Sequence, residues 1–149
     1  MIAVIQRVKS SSVKVDGKIV GQIGQGLNIL LGVKKGDTKE DIQKLVNKIV
    51  NLRIFQDEND KMNLSLIDVG GEALIISQFT LAGNIKKGRR PSFDASENPQ
   101  IANEYYEEFK AFVASHDIHV QSGVFGAHME VDIQNDGPVT FIVDSKELN

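Results

Sequence analysis

Apolar and polar residues alternate over residues 2–8, and an alternation with a period of two predicts a β-strand. A second alternating segment leads into Asp16-Gly17, a dipeptide that favours the tight turn of a β-hairpin. Residues 19–23 are therefore predicted to return as the second strand of that hairpin. After a further turn, a continuous apolar run at residues 27–33 predicts a buried strand.

Two later segments carry the three- and four-residue spacing of an amphipathic helix. The first begins after Thr38, which together with Asp41 resembles a capping box, although the acid is Asp where Glu is usual. The second begins at Asn98-Pro99, because Asn suits the N-cap and Pro suits the first helical position. The apolar stripes are Ile42, Leu45, Val46, Ile49 and Val50 in the first helix, and Ile101, Ala102, Tyr105, Phe109, Phe112 and Val113 in the second.

Strands outnumber helices by more than two to one in this pattern, without the regular strand–helix alternation of a doubly wound sheet. The pattern predicts an α+β fold, with curved, largely antiparallel, barrel-like sheets and helices packed on one side. We expect a single domain over residues 1–149, since that length is within the range of one domain. The remaining predicted strands are residues 53–55, 73–79, the segment around Val120, 129–133 and 139–143.

The composition is that of an ordinary globular protein, with 41% hydrophobic and 25% charged residues. Cysteine is absent, which excludes thiol nucleophiles, thiolate zinc sites and disulfides. The first residues lack the basic and apolar regions of a signal peptide. No apolar run approaches the ~20 residues that a membrane-spanning helix needs. We therefore expect a cytoplasmic protein with no membrane partner.

Charge is distributed unevenly along the chain, although the net charge is only −3. Residues 86–90 contain four of the 17 basic residues and none of the 20 acidic ones, so the remainder of the chain is clearly acidic. A basic loop on an acidic body suits a protein that binds phosphate at one place. An ordinary solvated loop is the alternative interpretation.

Motifs of other enzyme classes are incomplete. Residues 21–26 read G-x-x-G-x-G, the reverse of the dinucleotide fingerprint, and a predicted strand follows them, which favours a tight turn. His116 and His119 lack an acid at ligand spacing, which disfavours a catalytic zinc site. Chain order alone does not exclude a catalytic triad of Ser77, His128 and an Asp, but the Gly-x-Ser-x-Gly elbow is absent. We expect no metal and no cofactor.

Residues 77–81 and 135–140 place hydroxyl and amide side chains at the ends of predicted strands. The second segment contains Gly137-Pro138, where a cis peptide costs only about 0.5–1 kcal/mol, against roughly 2.5–4 kcal/mol before other residues. Since nucleophile–base pairs are lacking, main-chain groups and hydroxyls are the candidates for an active site, and Thr80 is the foremost hydroxyl. Taken singly, Thr80 also fits an ordinary strand and Gly137-Pro138 an ordinary turn.

Together these segments resemble the D-aminoacyl-tRNA deacylase family in order and spacing. The sequence departs from the family pattern at Ala82 and Gly83, where an aromatic is common, and at His128, which follows Ala127. These departures lie outside both signature motifs. The likeness spans nearly the whole chain and is carried by residues 6–8, 51–55, 61–66, 77–81, 87–93, 122–127 and 135–140.

The resemblance implies a homodimer in which each active site uses both subunits. It implies that Gly137-Pro138 enters the site from the partner chain with a cis peptide, braced by Arg7, and that the basic loop holds acceptor-stem phosphates of tRNA. The implied site residues are Ser77, Gln78, Phe79 and Thr80 on the catalytic wall, Gly137, Pro138, Phe125, Met129 and Arg7 around the substrate and its terminal adenosine, and Lys86, Lys87, Arg89 and Arg90 against tRNA.

The implied reaction is hydrolysis of the ester that joins a D-amino acid to tRNA. Such an ester is already prone to hydrolysis, so backbone N–H groups near Phe79 and Thr80 could stabilise the oxyanion without an acid or base from the protein. The 2′-hydroxyl of the terminal adenosine could help to activate water. Thr80 as a covalent nucleophile is the alternative, although no base stands near it in sequence.

The choice between D- and L-esters is implied to be steric. A rigid wall at Gly137-Pro138 would reject L side chains by a clash. Glycyl-tRNA should also be hydrolysed, because glycine has no side chain to exclude.

Two other function classes compete with the deacylase. A non-catalytic nucleic-acid-binding module would use the same basic loop, but it would need neither residues 77–80 nor residues 137–138. An amidase or peptidase acting on D-amino acid peptides lacks a nucleophile–base pair in this sequence.

Overall fold

The computed structural model describes residues 1–149. The strands are β1 (Ile2–Val15), β2 (Lys18–Ile23), β3 (Gly26–Gly32), β4 (Phe55–Gln56), β5 (Met62–Leu64), β6 (Glu72–Ser77), β7 (Val120–Ser122) and β8 (Glu130–Asp144). The helices are α1 (Lys39–Asn51), α2 (Leu66–Val69) and α3 (Pro99–Ala114). No helix is long and apolar enough to cross a membrane.

Six strands form one sheet in the order β2-β1-β3-β6-β7, with β8 paired along β1. The long strand β1 is antiparallel to β2, β3 and β8, whereas β3–β6 and β6–β7 are parallel. The sheet curves until β2 approaches β7, and a Cβ at Gly21 would lie 2.6 Å from the carbonyl oxygen of Ser122. The predicted α+β, barrel-like fold with helices on one side is thereby confirmed.

The two faces of this sheet bury different sets of side chains. One face packs against the helices and forms the main core, in which Tyr106 and Phe109 of α3 are fully buried. The other face forms a smaller cluster that is covered by Met129 and by Val131 and Ile133 of β8. The smaller cluster contains Val8, Val13, Ile23, Leu74 and Ile76. The alternating apolar side chains of β1 therefore contribute to the buried clusters on both faces of the sheet.

Both predicted helix starts are confirmed. The Asp41 carboxylate accepts the Thr38 backbone N–H at 2.8 Å, so Asp fills the capping position. Asp41 also accepts Ser145 Oγ at 2.7 Å and Lys146 Nζ at 3.0 Å. Burial alone would raise the pKa of Asp41, but these hydrogen bonds outweigh it and hold the pKa well below its usual range. At α3, the Asn98 side chain accepts the Gln100 N–H at 2.8 Å.

Several strand boundaries differ from the sequence prediction. The strand predicted at residues 53–55 is found as β4 at Phe55–Gln56, so Arg53 and Ile54 precede it, and the strand predicted at 73–79 ends at Ser77. The strands predicted at 129–133 and 139–143 form one strand, β8, which begins at Glu130 and is interrupted by a bulge. The four-residue helix α2 was not predicted, because so short an element shows no periodicity.

Candidate active site

The first candidate segment stands where β6 leaves the sheet. The Gln78 N–H donates to the carbonyl of Leu31 at 2.8 Å, which is the last contact before the chain turns into a 3₁₀ helix at Phe79–Ala82. Gln78 Nε2 then donates to Thr80 Oγ1 at 3.0 Å. The wall of hydroxyl and amide groups is thus built by the end of a buried strand and a tight turn.

A cavity of about 410 Å³ opens beside this turn. Phe125 and Met129 lie on its wall together with residues 77–80, so the structure brings six of the implied site residues into one cavity. The first turn of α3 and the segment before it close another side. The lining there consists of Ser96, Glu97, Pro99 and Ala102, and the remaining lining residues are Val33, Gly126 and Ala127.

The cavity holds no nucleophile–base pair. Glu97 is the one ionisable side chain on its wall, and Glu97 Oε1 accepts the N–H of Asn98 at 2.7 Å. His128 is exposed and does not line the cavity, so it forms no pair with Ser77 there. The groups offered to a ligand are hydroxyls, an amide, main-chain atoms and the half-buried carboxylate of Glu97.

Tyr106 supports the cavity from behind. Its hydroxyl donates to the Ile75 carbonyl at 2.7 Å, and its ring centroid lies 6.0 Å from that of Phe125. Burial raises the pKa of Tyr106 to about 12, so the hydroxyl remains a neutral donor. A fixed Tyr106 in turn fixes Phe125 on the cavity wall.

Gly137-Pro138 occupies a protruding loop of β8. Asn135 pairs with Val8 and Thr140 pairs with Gln6, so residues 136–139 stand opposite the single residue Arg7. The Gly137-Pro138 peptide bond is cis, and both residues are exposed. Neither residue lines the cavity of its own chain.

Arg7 holds this loop from the inside of the sheet. Its side chain is 3% exposed, and its Nε donates to the Asp136 carbonyl at 3.0 Å. Arg7 Nη1 donates to the carbonyl of Ile54 at 2.8 Å. A single guanidinium therefore links the loop to the main chain after α1.

The basic loop extends from the same turn that carries Phe79. A two-residue bridge between Asn84 and Ser92, with hydrogen bonds of 2.7 and 2.9 Å, closes its base. The ring of Phe93 packs edge-on against that of Phe79, with 5.1 Å between centroids. Lys86, Lys87, Arg89 and Arg90 are all exposed and form no ion pair.

The family model described as D-Tyr-tRNA(Tyr) deacylase matches residues 4–144. The chain belongs to this family. Among its relatives, the D-aminoacyl-tRNA deacylase of Persephonella marina is 68% identical, covering 99% of this chain and 100% of the relative. The D-aminoacyl-tRNA deacylase of Aquifex aeolicus is 59% identical over the same share of this chain and the whole of the relative.

Two solved structures share the architecture of this deacylase-family chain. The c-Myc DNA unwinding element binding protein superposes with a TM-score of 0.91 at 39% identity, covering 97% of this chain and 98% of the other. A probable eukaryotic D-amino acid tRNA deacylase superposes with a TM-score of 0.84 at 18% identity, covering 95% and 97%. The second likeness establishes the fold alone.

Motifs of other enzyme classes have structural explanations in this deacylase-family fold. Residues 21–26 form the end of β2 and the turn into β3. His116 Nδ1 lies 2.9 Å from the Phe112 carbonyl at the end of α3, and His119 lies 3.7 Å from Glu72. No three residues of the metal-ligating types come together.

Sequence reasoning missed the side of the cavity that α3 contributes. Asn98-Pro99 was interpreted only as a helix start, and the residues around it are small, apolar or carry one carboxylate. Proline and alanine give no chemical signal of a site. The one available signal was Glu97, an acid placed directly before a helix that starts beside a motif-bearing strand end.

Proposed function

We propose that this deacylase hydrolyses the ester bond between a D-amino acid and the terminal adenosine of tRNA, releasing both. The observation that carries the proposal is the cavity beside residues 77–80, which offers hydrogen-bond donors and hydroxyls but no nucleophile–base pair. An aminoacyl ester is reactive enough to need only such assistance. The identity of 68% to a full-length D-aminoacyl-tRNA deacylase supports the substrate class.

Oxyanion stabilisation is assigned to the start of the 3₁₀ turn. Phe79 and Thr80 are its first residues, and the first N–H groups of a helical turn have no acceptor within that turn. One oxyanion donor contributes about 3–4 kcal/mol in known enzymes. Thr80 Oγ1 accepts a hydrogen bond from Gln78, which orients the hydroxyl without activating it as a nucleophile. Water, aided by the 2′-hydroxyl of the adenosine, is the attacking group.

A homodimer supplies the part of the site that is missing from one chain. β8 pairs only with β1, so its outer edge leaves a row of backbone hydrogen-bonding groups unpaired. Phe141 and Ile142 on this strand are 43% and 71% exposed. A self-complementary contact along this edge would bury them, as two-fold dimers do. The Gly137-Pro138 loop would then enter the partner's cavity.

The loop is proposed to provide the chirality check. D- and L-esters carry identical groups, so attraction to any one group cannot separate them, whereas a wall at the position of the L side chain can. The buried guanidinium of Arg7 keeps such a wall in place. Glycyl-tRNA would pass this check and be hydrolysed, since glycine presents no side chain to the wall.

The basic loop is proposed to bind phosphates of the acceptor stem. Its four exposed cations stand next to the cavity through the Phe79–Phe93 contact. Contacts to phosphates position a nucleic acid without reading its sequence. A tRNA-directed activity of this kind would take place in the cytoplasm.

The decisive experiment compares D-tyrosyl-, L-tyrosyl- and glycyl-tRNA as substrates of the purified protein. We expect rapid release from the D-ester and the glycyl ester and none above background from the L-ester. Equal rates on the D- and L-tyrosyl esters would contradict the proposed wall. Retention of all three esters would contradict the proposed reaction.

A nucleic-acid-binding module is the second candidate, favoured by the name of one structural relative, the c-Myc DNA unwinding element binding protein. The exposed basic loop would serve that function equally well. Binding of tRNA or DNA without ester release in the same experiment would favour this candidate. The cavity of about 410 Å³ would have no role in it.

A further inference from the structure

A second group of basic side chains lies at the C-terminal half of α1, outside the site described above. There the helix, the residues that follow it and the end of the chain enclose a groove of about 440 Å³. No carboxylate side chain lines it. The lining residues are Lys44, Asn47, Lys48, Asn51, Leu52, Arg53, Leu148 and Asn149.

The helix presents its polar residues to this groove in two parallel rows. Lys44 and Lys48 are four residues apart, as are Asn47 and Asn51, so each pair lies one above the other on one side of α1. The members of each pair are separated by about 6 Å along the axis. Cations and amides spaced along a line suit an extended polyanion better than a single compact anion.

The positive charge in this groove is only partly compensated by nearby carboxylates. Lys48 and Arg53 are exposed and form no ion pair with a carboxylate. Arg53 Nη1 donates to a neutral amide, Asn63 Oδ1, at 3.5 Å. Its charge also adds to the lowering of the pKa of Asp68, for which the hydrogen bond from the Ser65 N–H is the main cause. Lys44 pairs with Glu40 at 3.5 Å, an exposed contact that solvent weakens. On a chain with a net charge of −3, such a groove is a local attractor for anions.

One guanidinium ties the groove to the Gly137-Pro138 loop. Arg7 Nη1 binds the carbonyl of Ile54, the residue after Arg53, while Arg7 Nε binds the carbonyl of Asp136, the residue before Gly137. The groove and the loop therefore keep a fixed relation. If the loop enters the partner's cavity in the dimer proposed above, this link carries the groove towards that cavity together with the loop.

We propose that the groove formed by Lys44, Lys48 and Arg53 binds the sugar–phosphate backbone of a tRNA whose aminoacyl end occupies the partner's cavity. This inference rests on the proposed function. Each tRNA would be held by the basic loop of one protomer and by the groove of the other. Both contacts position the ester in the cavity and neither reads sequence.

The test removes two charges from the groove, Lys48→Gln with Arg53→Gln, and compares this variant with Lys9→Gln plus Lys18→Gln, which removes two exposed charges elsewhere. KM and kcat are measured for D-tyrosyl-tRNA and for D-tyrosyl-adenosine, which has no phosphates. We expect KM for the tRNA substrate to rise about ten-fold in the groove variant only. The slope of log KM against log salt concentration should fall by about 1.4–1.8 in the same variant, since two phosphate contacts are lost. The kcat for D-tyrosyl-tRNA should not change, and neither should KM or kcat for D-tyrosyl-adenosine.

An unchanged KM for the tRNA substrate, or a rise equal to that of the control variant, would overturn the proposal. Lys48→Gln alone serves as a second variant if the double variant proves unstable. Should the wild-type protein hydrolyse neither substrate, the proposed function fails. Affinity for uncharged tRNA, measured on the same variants, then still decides whether the groove binds the backbone.

Mixed dimers test whether groove and loop act across the subunits. A subunit with Lys86→Gln and Arg89→Gln is combined with a groove-variant subunit. If the contacts cross the interface, one site carries both changes and the other carries none, so half of the activity retains the wild-type KM. If each chain holds its own tRNA, both sites carry one change and no wild-type KM component remains. This second outcome would refute the crossed arrangement.

Discussion

Replacing Arg7 by Met tests the link between the stability of the fold and the selectivity of the site. Arg7 is 3% exposed and binds two main-chain carbonyls, those of Asp136 at 3.0 Å and Ile54 at 2.8 Å. Met fills most of the space of the aliphatic stem of Arg7, so the variant keeps most of the packing. The main loss is therefore that of the two hydrogen bonds from the charged guanidinium. Lys9→Met, an exposed change on the same strand, is the matched control.

The expected magnitude follows from these two contacts. A hydrogen bond from a charged donor contributes about 1.5–3 kcal/mol, and each carbonyl left without a donor in a buried place adds to the loss. The more distant contact of Arg7 Nε to the Asp136 carboxylate, at 3.6 Å and partly exposed, adds little. The two hydrogen bonds together contribute about 3–6 kcal/mol, which corresponds to a fall in Tm of roughly 10–20 °C for a domain of this size.

Two assays measure the effects of this substitution on stability and on selectivity. Thermal unfolding, monitored by circular dichroism, should show the lower Tm in Arg7→Met and none in Lys9→Met. At 25 °C, where the variant is still folded, the ratio of kcat/KM for D-tyrosyl-tRNA over L-tyrosyl-tRNA should fall, because the loop is no longer held against the sheet. A Tm within 2 °C of the wild type would refute the energetic reasoning. A lower Tm with an unchanged D/L ratio would refute the role of Arg7 in selectivity.

Three further changes give distinct outcomes. Gly137→Ala should lower D/L selectivity, because Gly137 has φ +127° and a Cβ there would lie 2.9 Å from Val139. The control Gly36→Ala, at φ +89° with open space around it, should leave selectivity unchanged. Equal selectivity in the two variants would contradict this prediction. Thr80→Val should keep measurable single-turnover hydrolysis, and a complete loss would favour the nucleophile. Asp41→Asn should lower Tm above about pH 5, where the wild-type carboxylate is ionised, and the difference should shrink as pH falls through the depressed pKa of Asp41. A difference independent of pH would contradict that assignment.

Much of the fold follows from period and turn chemistry. The alternation in β1, the Asp16-Gly17 turn and the capping residues of α1 and α3 are local signals, and each produced the predicted element. The parallel pairing of β3 with β6 has no local signal, because the partner of a strand after a long crossover is decided by packing. The continuous strand β8 was divided in the prediction because Pro138 interrupts the pattern, whereas the structure places it in a bulge.

Some features of the candidate site also follow from the sequence, whereas others depend on the folded structure. Residues 77–80, Phe125 and Met129 were implied by motif resemblance and converge on one cavity. The contribution of α3 was missed because Pro99 and Ala102 act there through shape alone. The separation of Gly137-Pro138 from its own cavity is a property of the folded chain that no spacing in the sequence reveals.

The arrangement of charge clarifies how such a site can be selective without a catalytic pair. The cations of the basic loop are exposed, and those of the groove on α1 are exposed or half-exposed, so both sets are accessible to the phosphates that we propose they bind. The buried guanidinium of Arg7 faces main-chain carbonyls and holds the Gly137-Pro138 loop against the sheet. In the proposed mechanism, binding energy from the tRNA holds the ester in place, while the choice between enantiomers depends on a wall that makes no attractive contact with the side chain. Because a clash is insensitive to the nature of the side chain, the same wall should admit D-amino acids of very different size and polarity.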